Sequence, residues 1–150
     1  MARNRVTIDA TPDDVFDVLV NPWTYPRWVV GAKRVRSVDD DWPRPGSRFH
    51  HSVGAGPATV SDSSELLSLD PPSSLRLEVR FRPIGVAVVD FDVRAEGPGS
   101  VVTMSEEPRS GPVWAVWNRL LDASVHVRNE LSLWLLRRVV EERSTDDRGA

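Results

Sequence analysis

Residues 112–143 read PVWAVWNRLLDASVHVRNELSLWLLRRVVEER, a run with proline only at its first position and no glycine. Proline suits the first turn of a helix, where its missing N–H would have had no partner. Some thirty residues at 1.5 Å each make a rod of roughly 45 Å. At 100° per residue, Val113, Trp117, Leu120, Leu121, Ser124, Val127, Leu131 and Leu135 fall on one arc. Arg119, Asp122, His126, Asn129, Glu130 and Arg137 fall on the other side. A helix this long, apolar along one side, is more than a connector. It is expected to lie across the inner face of a sheet, with the apolar arc turned inward.

The sheet is written in the middle of the chain. Candidate strands at 32–38, 47–54, 58–68, 74–82, 88–96 and 101–107 are separated by proline and glycine breaks. In the clearest, Leu75, Leu77, Val79 and Phe81 point one way, and Arg76, Glu78, Arg80 and Arg82 the other. The next strand alternates Val89, Phe91, Val93 and Ala95 with Asp90, Asp92, Arg94 and Glu96. Antiparallel pairing around Ile84–Val88 can set Arg82 against Asp90, Arg80 against Asp92, Glu78 against Arg94 and Arg76 against Glu96. All four rungs are then opposite in charge, which predicts that register. One face of the sheet is solvated, and the other needs a cover.

Before the sheet, Val6 and Ile8 share a face of a short first strand. Thr11-Pro12-Asp13-Asp14 then has the composition of a helix start: a capping hydroxyl, proline in the first turn and two carboxylates at the positive end. Val15, Phe16, Val18 and Leu19 give that helix its apolar stripe. Asn21-Pro22 ends it and opens a second short helix with Trp23, Tyr25 and Trp28.

The chain has 150 residues, 16.8 kDa, a hydrophobic fraction of 40% and a charged fraction of 27%, values of one soluble globular domain. Nineteen basic against 22 acidic residues leave a net charge of −3, which disfavours bulk attraction to nucleic acid. Without cysteine there are no disulfides, thiolate zinc sites or cysteine nucleophiles. No window approaches the roughly 20 apolar residues of a membrane span, and the N-terminus lacks the apolar core of a signal peptide. A cytoplasmic protein is expected, with one domain over residues 1–143 and a polar tail at 144–150.

Taken together, the order of elements resembles the helix-grip fold of the START-like, polyketide cyclase/dehydrase and lipid-transport superfamily (SRPBCC). The residues that carry the resemblance are Ala10 to Leu19, then Pro22, Tyr25, Trp28 and Gly31, then Trp42 to Phe49. Gly111-Pro112 and Arg128-Asn129-Glu130-Leu131 complete it, over about residues 3–142. It implies an α+β fold in which a curved antiparallel β-sheet of about seven strands wraps a long C-terminal α-helix, with two short helices after strand 1. It also implies an apolar small molecule held between helix and sheet, where some members catalyse ring closure or dehydration. No catalytic motif carries over residue by residue.

Several residues stand out against that frame. Arg128 falls within the apolar arc of the long helix, and a cation there needs an acceptor. It either pairs with a sheet carboxylate, anchors a carboxylate, phosphate or enolate of a ligand, or reaches out to solvent. Glu106 is its expected partner if Val102 and Met104 face inward; Glu107 takes its place if the register is shifted. His51 shares parity with Phe49 and Val53 and is the inward one of the adjacent pair His50 and His51. It reads as a cavity-lining histidine or as a general acid/base. His126 is expected on the surface. Tyr25, Trp28, Phe49, Phe81, Phe91 and Trp117 read first as core. They line a pocket with Val79, Met104 and Leu121 if the helix stands off the sheet. No metal and no cofactor are expected.

These readings favour binding or transport of a hydrophobic small molecule such as a lipid, polyketide or isoprenoid. An alternative is a cyclase/dehydratase in which His51 or Glu106 removes a proton and Arg128 steadies the oxyanion. A third is a protein-interaction or regulatory domain with a collapsed cavity and a contact patch at Ile84–Val88. The expected partner is a hydrophobic ligand, with a homodimer left open.

Overall fold

Thr11 begins the helical part of the molecule as its sequence predicts: its hydroxyl accepts from the Asp14 N–H at 3.3 Å, and Pro12 occupies the first turn. The computed structural model describes residues 2–55, 57–81, 85–112 and 119–149, with Ala55 and Phe81 described by their backbone alone. Strand β1 (Ala2–Ile8) leads into helix α1 (Pro12–Leu19), whose Val15, Phe16, Val18 and Leu19 are buried. Asn21 caps a single 3-10 turn (Pro22–Thr24) through its side-chain oxygen, and the short helix α2 (Tyr25–Trp28) follows.

The chain then builds β2 (Ala32–Val38), β3 (Arg48–Ala55), β4 (Ala58–Asp70), β5 (Ser74–Phe81), β6 (Gly85–Glu96) and β7 (Gly99–Ser110). These six and β1 form one antiparallel sheet in the order β1-β7-β6-β5-β4-β3-β2. Register shifts in the β2–β3, β4–β5 and β6–β7 pairings insert extra residues, which bend and twist the strands. Helix α3 (Arg119–Gly149) packs along β1 and against α1 and α2. The result is the expected α+β helix-grip architecture.

Two local expectations are corrected. Along the β5–β6 hairpin, Arg76 faces Asp90 instead of Glu96, Glu78 faces Val88, and Arg80 faces Val86. Only Arg76 and Asp90 form an ion pair across the two strands among the described residues, at 3.6 Å. Glu78 instead pairs with Arg80, and Asp92 with Arg94, along their own strands. The change is even in residue number, so every side chain keeps its face. What differs is the partner: Leu75 meets Phe91 and Leu77 meets Val89, where the charge register offered them Gly97 and Ala95. Exposed ionic rungs stabilise by about 0.2–1 kcal/mol each. Burying a Leu or Phe stabilises by about 1.5–3 kcal/mol, so apolar overlap sets the register.

The second correction concerns the long helix. Its buried residues are Asn129, Ser132, Leu133, Leu136, Val139, Val140 and Ser144. Leu120, Val127 and Leu131, expected inward, are 78%, 65% and 47% exposed, while Asn129, expected outward, is fully buried. Val113 and Trp117 lie outside the described residues. The inner face is thus turned about 140° from the apolar arc at 100° per residue. Polar residues on the inner face explain the error, because each has a built partner. Ser132 Oγ accepts from the Val30 N–H at 3.0 Å, and Asn129 binds Glu106. The helix also continues past the expected tail: residues 144–149 are helical, and the Ser144 hydroxyl accepts from Arg148 at 2.8 Å.

The core lies between α1, α2, the C-terminal half of α3 and the inner sheet face, with Trp28, Ile8, Leu19, Leu66, Leu75, Leu133 and Leu136 almost wholly removed from water. No helix among the described residues is long and apolar enough to cross a membrane.

Candidate functional site

A cavity of about 420 Å³ opens between the sheet and the helices. Its floor comes from strand alternation. Val35 of β2, Phe49, His51 and Val53 of β3, Ser64 of β4, Leu77 and Val79 of β5, Val89 and Phe91 of β6, and Met104 and Glu106 of β7 all turn to the same side. Tyr25 and Trp28 of α2 and the Val29–Ala32 connection form one wall, and Arg128 is the α3 residue that reaches it. Gly54, at the end of β3, passes so close to the neighbouring strand that a Cβ there would sit 1.9 Å from the Ala58 carbonyl oxygen.

The aromatic wall is held edge to face. Tyr25 meets Trp28 at 4.9 Å and Phe49 at 5.2 Å, and Trp28 meets Phe91 at 5.8 Å between ring centroids. Such geometry sets the positive ring edge against the negative face. The polar tips of these rings point away from any guest. Tyr25 Oη donates to the Leu19 carbonyl at 2.6 Å, and Trp28 Nε1 donates to Thr24 Oγ1 at 3.2 Å. Burial pushes the Tyr25 phenol well above its ordinary range, so it stays a neutral donor.

Among the described residues, two polar groups remain at the cavity. Glu106 on β7 is 4% exposed, and its Oε2 accepts from Arg128 Nη2 at 2.6 Å and Asn129 Nδ2 at 3.0 Å. Arg128 also donates from Nε and Nη2 to Asn129 Oδ1, at 3.3 and 3.0 Å. The three side chains close a ring in which the amide orientation is fixed by an acid on one side and a cation on the other. The second polar group is His51, 5% exposed, with Nε2 3.0 Å from Ser64 Oγ. Burial lowers its pKa from the ordinary 6.5, opposed by the nearby Asp62 carboxylate, so the imidazole is neutral at neutral pH.

Of the residues singled out from the sequence, Tyr25, Trp28, Phe49, His51, Val79, Phe91, Met104, Glu106 and Arg128 are brought together around this cavity. Leu121 is half-buried and does not line it. The Phe81 side chain and Trp117 lie outside the described residues. Glu106 faces inward and not Glu107, and His126 is exposed. Asn129, bonded to both Glu106 and Arg128, is the neighbour that sequence reasoning missed. Leu77, Val89, Val35 and Val53 were also missed, although each has the parity of a named neighbour on its own strand or on the strand beside it. Among the described residues, no three His, Asp or Glu side chains group as a metal site. The interaction reading expected a collapsed cavity and offered the Ile84–Val88 tip as a contact patch. The cavity is open, Ala87 and Val88 are buried, and Ile84 lies outside the described residues.

Structural comparison gives the same architecture in proteins of distant sequence. The crystal structure of CV1439 from Chromobacterium violaceum superposes with a TM-score of 0.71 at 17% identity, covering 93% of this chain and 96% of that one. Ara h 8.0201 gives a TM-score of 0.71 at 12% identity, over 92% and 95% of the two chains. The di-domain ARO/CYC StfQ from the steffimycin biosynthetic pathway gives 0.70 at 14% identity, over 95% of this chain and 51% of that one. No curated protein sequence gives a significant match. Residues 2–141 match the family model described as polyketide cyclase / dehydrase and lipid transport, so nearly the whole chain, cavity included, belongs to that family.

Proposed function

We propose that this protein binds or carries a hydrophobic small molecule, of lipid, polyketide or isoprenoid type, in the cavity between sheet and long helix. The observation that carries this reading is the cavity itself. Its 420 Å³ falls within the range of roughly 300–1,000 Å³ typical of small-molecule sites. Among the described residues, its walls are aliphatic and aromatic apart from the Glu106–Arg128 pair and the His51–Ser64 pair. Removing apolar ligand surface from water supplies about 25 cal/mol per Å², and the polar pairs orient the guest.

The cyclase/dehydratase alternative is favoured by one observation: His51 lines the cavity, where an imidazole nitrogen can accept a proton. It is weakened by another. Arg128 is already neutralised by Glu106, which leaves less charge to stabilise an oxyanion.

Native mass spectrometry of protein purified gently from its own host tests the proposal. A retained mass of lipid size supports it, and repeated absence of any adduct counts against it. Incubation with a linear polyketide separates carrier from enzyme: recovery of the same linear compound fits a carrier, loss of one water fits a dehydratase, and a cyclised isomer of unchanged mass, resolved by chromatography, fits a cyclase.

A further inference from the structure

The polar end of the cavity is charged in its parts and neutral as a whole. Arg128 lines the space and keeps a third of its side chain exposed, whereas the Glu106 side chain is 5% exposed and sits 2.6 Å from the guanidinium. Asn129 closes the ring from behind, taking donors from Arg128 on its oxygen and giving its own to Glu106. Arg128 Nη1 has no bond among the described residues, so it has donor capacity left for a guest. Apart from this pair, the cavity lining holds no Asp, Glu, Lys or Arg among the described residues. Ser64 faces His51, and the Tyr25 hydroxyl and Trp28 N–H are used on backbone or side-chain acceptors away from the space.

We infer that the cavity selects electrically neutral guests that carry a hydrogen-bond acceptor, such as a hydroxyl, ketone or ester oxygen, received by Arg128. The inference rests on the binding proposal above and specifies its ligand class. A carboxylate guest would give up its hydration for apolar walls and meet a cation whose charge Glu106 already compensates. A cationic guest would find the same carboxylate already held by Arg128 and Asn129. A neutral acceptor gives up far less hydration and gains a bond from a charged donor.

The test uses the neutral fluorophore N-phenyl-1-naphthylamine as the cavity probe, displaced at neutral pH by 1-decanol, decanoate or decylammonium, which share one chain length. The expected result is that decanol competes at least about tenfold better than either ion. Decanoate or decylammonium matching decanol would overturn the inference. The wild-type comparison stands alone, and Glu106→Gln then probes its cause. Freed of its counter-charge, Arg128 should raise decanoate competition about tenfold relative to decanol. An unchanged ratio in that variant would exclude compensation by Glu106 as the origin of selectivity. A probe that never binds the wild type would refute the carrier reading itself, a result distinct from binding without charge discrimination.

Discussion

Replacing Arg128 by Met removes the cation while keeping much of the stem that packs beside the cavity. Glu106, with its side chain 5% exposed, is then left with the Asn129 amide as its described donor. Breaking a fully buried pair from one side costs about 3–5 kcal/mol. Arg128 is 31% exposed, so water already screens part of the interaction, and about 2–3 kcal/mol is expected here. For a domain of this size that lowers Tm by about 5–10 °C. Urea unfolding followed by tryptophan fluorescence measures the loss directly. The double variant Glu106→Gln with Arg128→Met removes both charges, and it should recover about 1 kcal/mol or more relative to the sum of the single changes. A single variant within about 0.5 kcal/mol of wild type, or strict additivity of the pair, would refute the coupled cluster.

Three further outcomes follow from the same structure. Because burial holds the His51 pKa below 6.5, its contribution to stability is full above that pH and is lost as pH falls through the folded value. Unfolding free energy should therefore decline from neutral pH toward about pH 5, with a shallower slope in His51→Gln; equal slopes would mean that His51 is not the responsible group. Leu131→Ser, on the exposed side of α3, should change stability by about 0.5 kcal/mol or less, while Leu133→Ala, 1% exposed, should cost about 2–5 kcal/mol by denaturant titration. The reverse order would restore the inner face expected from the apolar arc. Gly54→Ala places a methyl against the Ala58 backbone and should destabilise by more than about 1 kcal/mol, readable as a drop in thermal midpoint.

The elements were legible where one physical signal dominated. Alternation at Leu75, Leu77 and Val79 marks a half-buried strand, and the same parity turns His51 inward and narrows the inward acid to Glu106 or Glu107. Thr11-Pro12 fixed a helix start because capping is local chemistry. The helix face was not legible, since polarity alone assigns Asn129 and Ser132 to water. Only the fold brings Glu106 to the one and the Val30 N–H to the other. Hairpin register escaped for a related reason: four weak charge pairs agreed with one another, while the stronger Leu75–Phe91 and Leu77–Val89 overlaps depended on where the turn closed. Val29, Val30 and Gly31 line the cavity from a connection between elements, a position no periodicity announces.

Placing polar residues on the buried side of α3 also explains how a cavity can persist beside a packed core. Toward the C-terminus, Leu133, Leu136, Val139 and Val140 join α1 and β1 residues in one apolar cluster. One turn earlier, Asn129 and Arg128 meet Glu106 through hydrogen bonds, whose directions and lengths fix the separation of helix and sheet. Apolar side chains at those two positions could slide and collapse onto Met104 and Phe91. A ring of three mutually satisfied polar groups resists that, because each displacement exposes an unpaired buried donor or acceptor. The cluster therefore acts as a spacer for the void as well as its polar end. This single arrangement links the misread helix face to the ligand class proposed for the site.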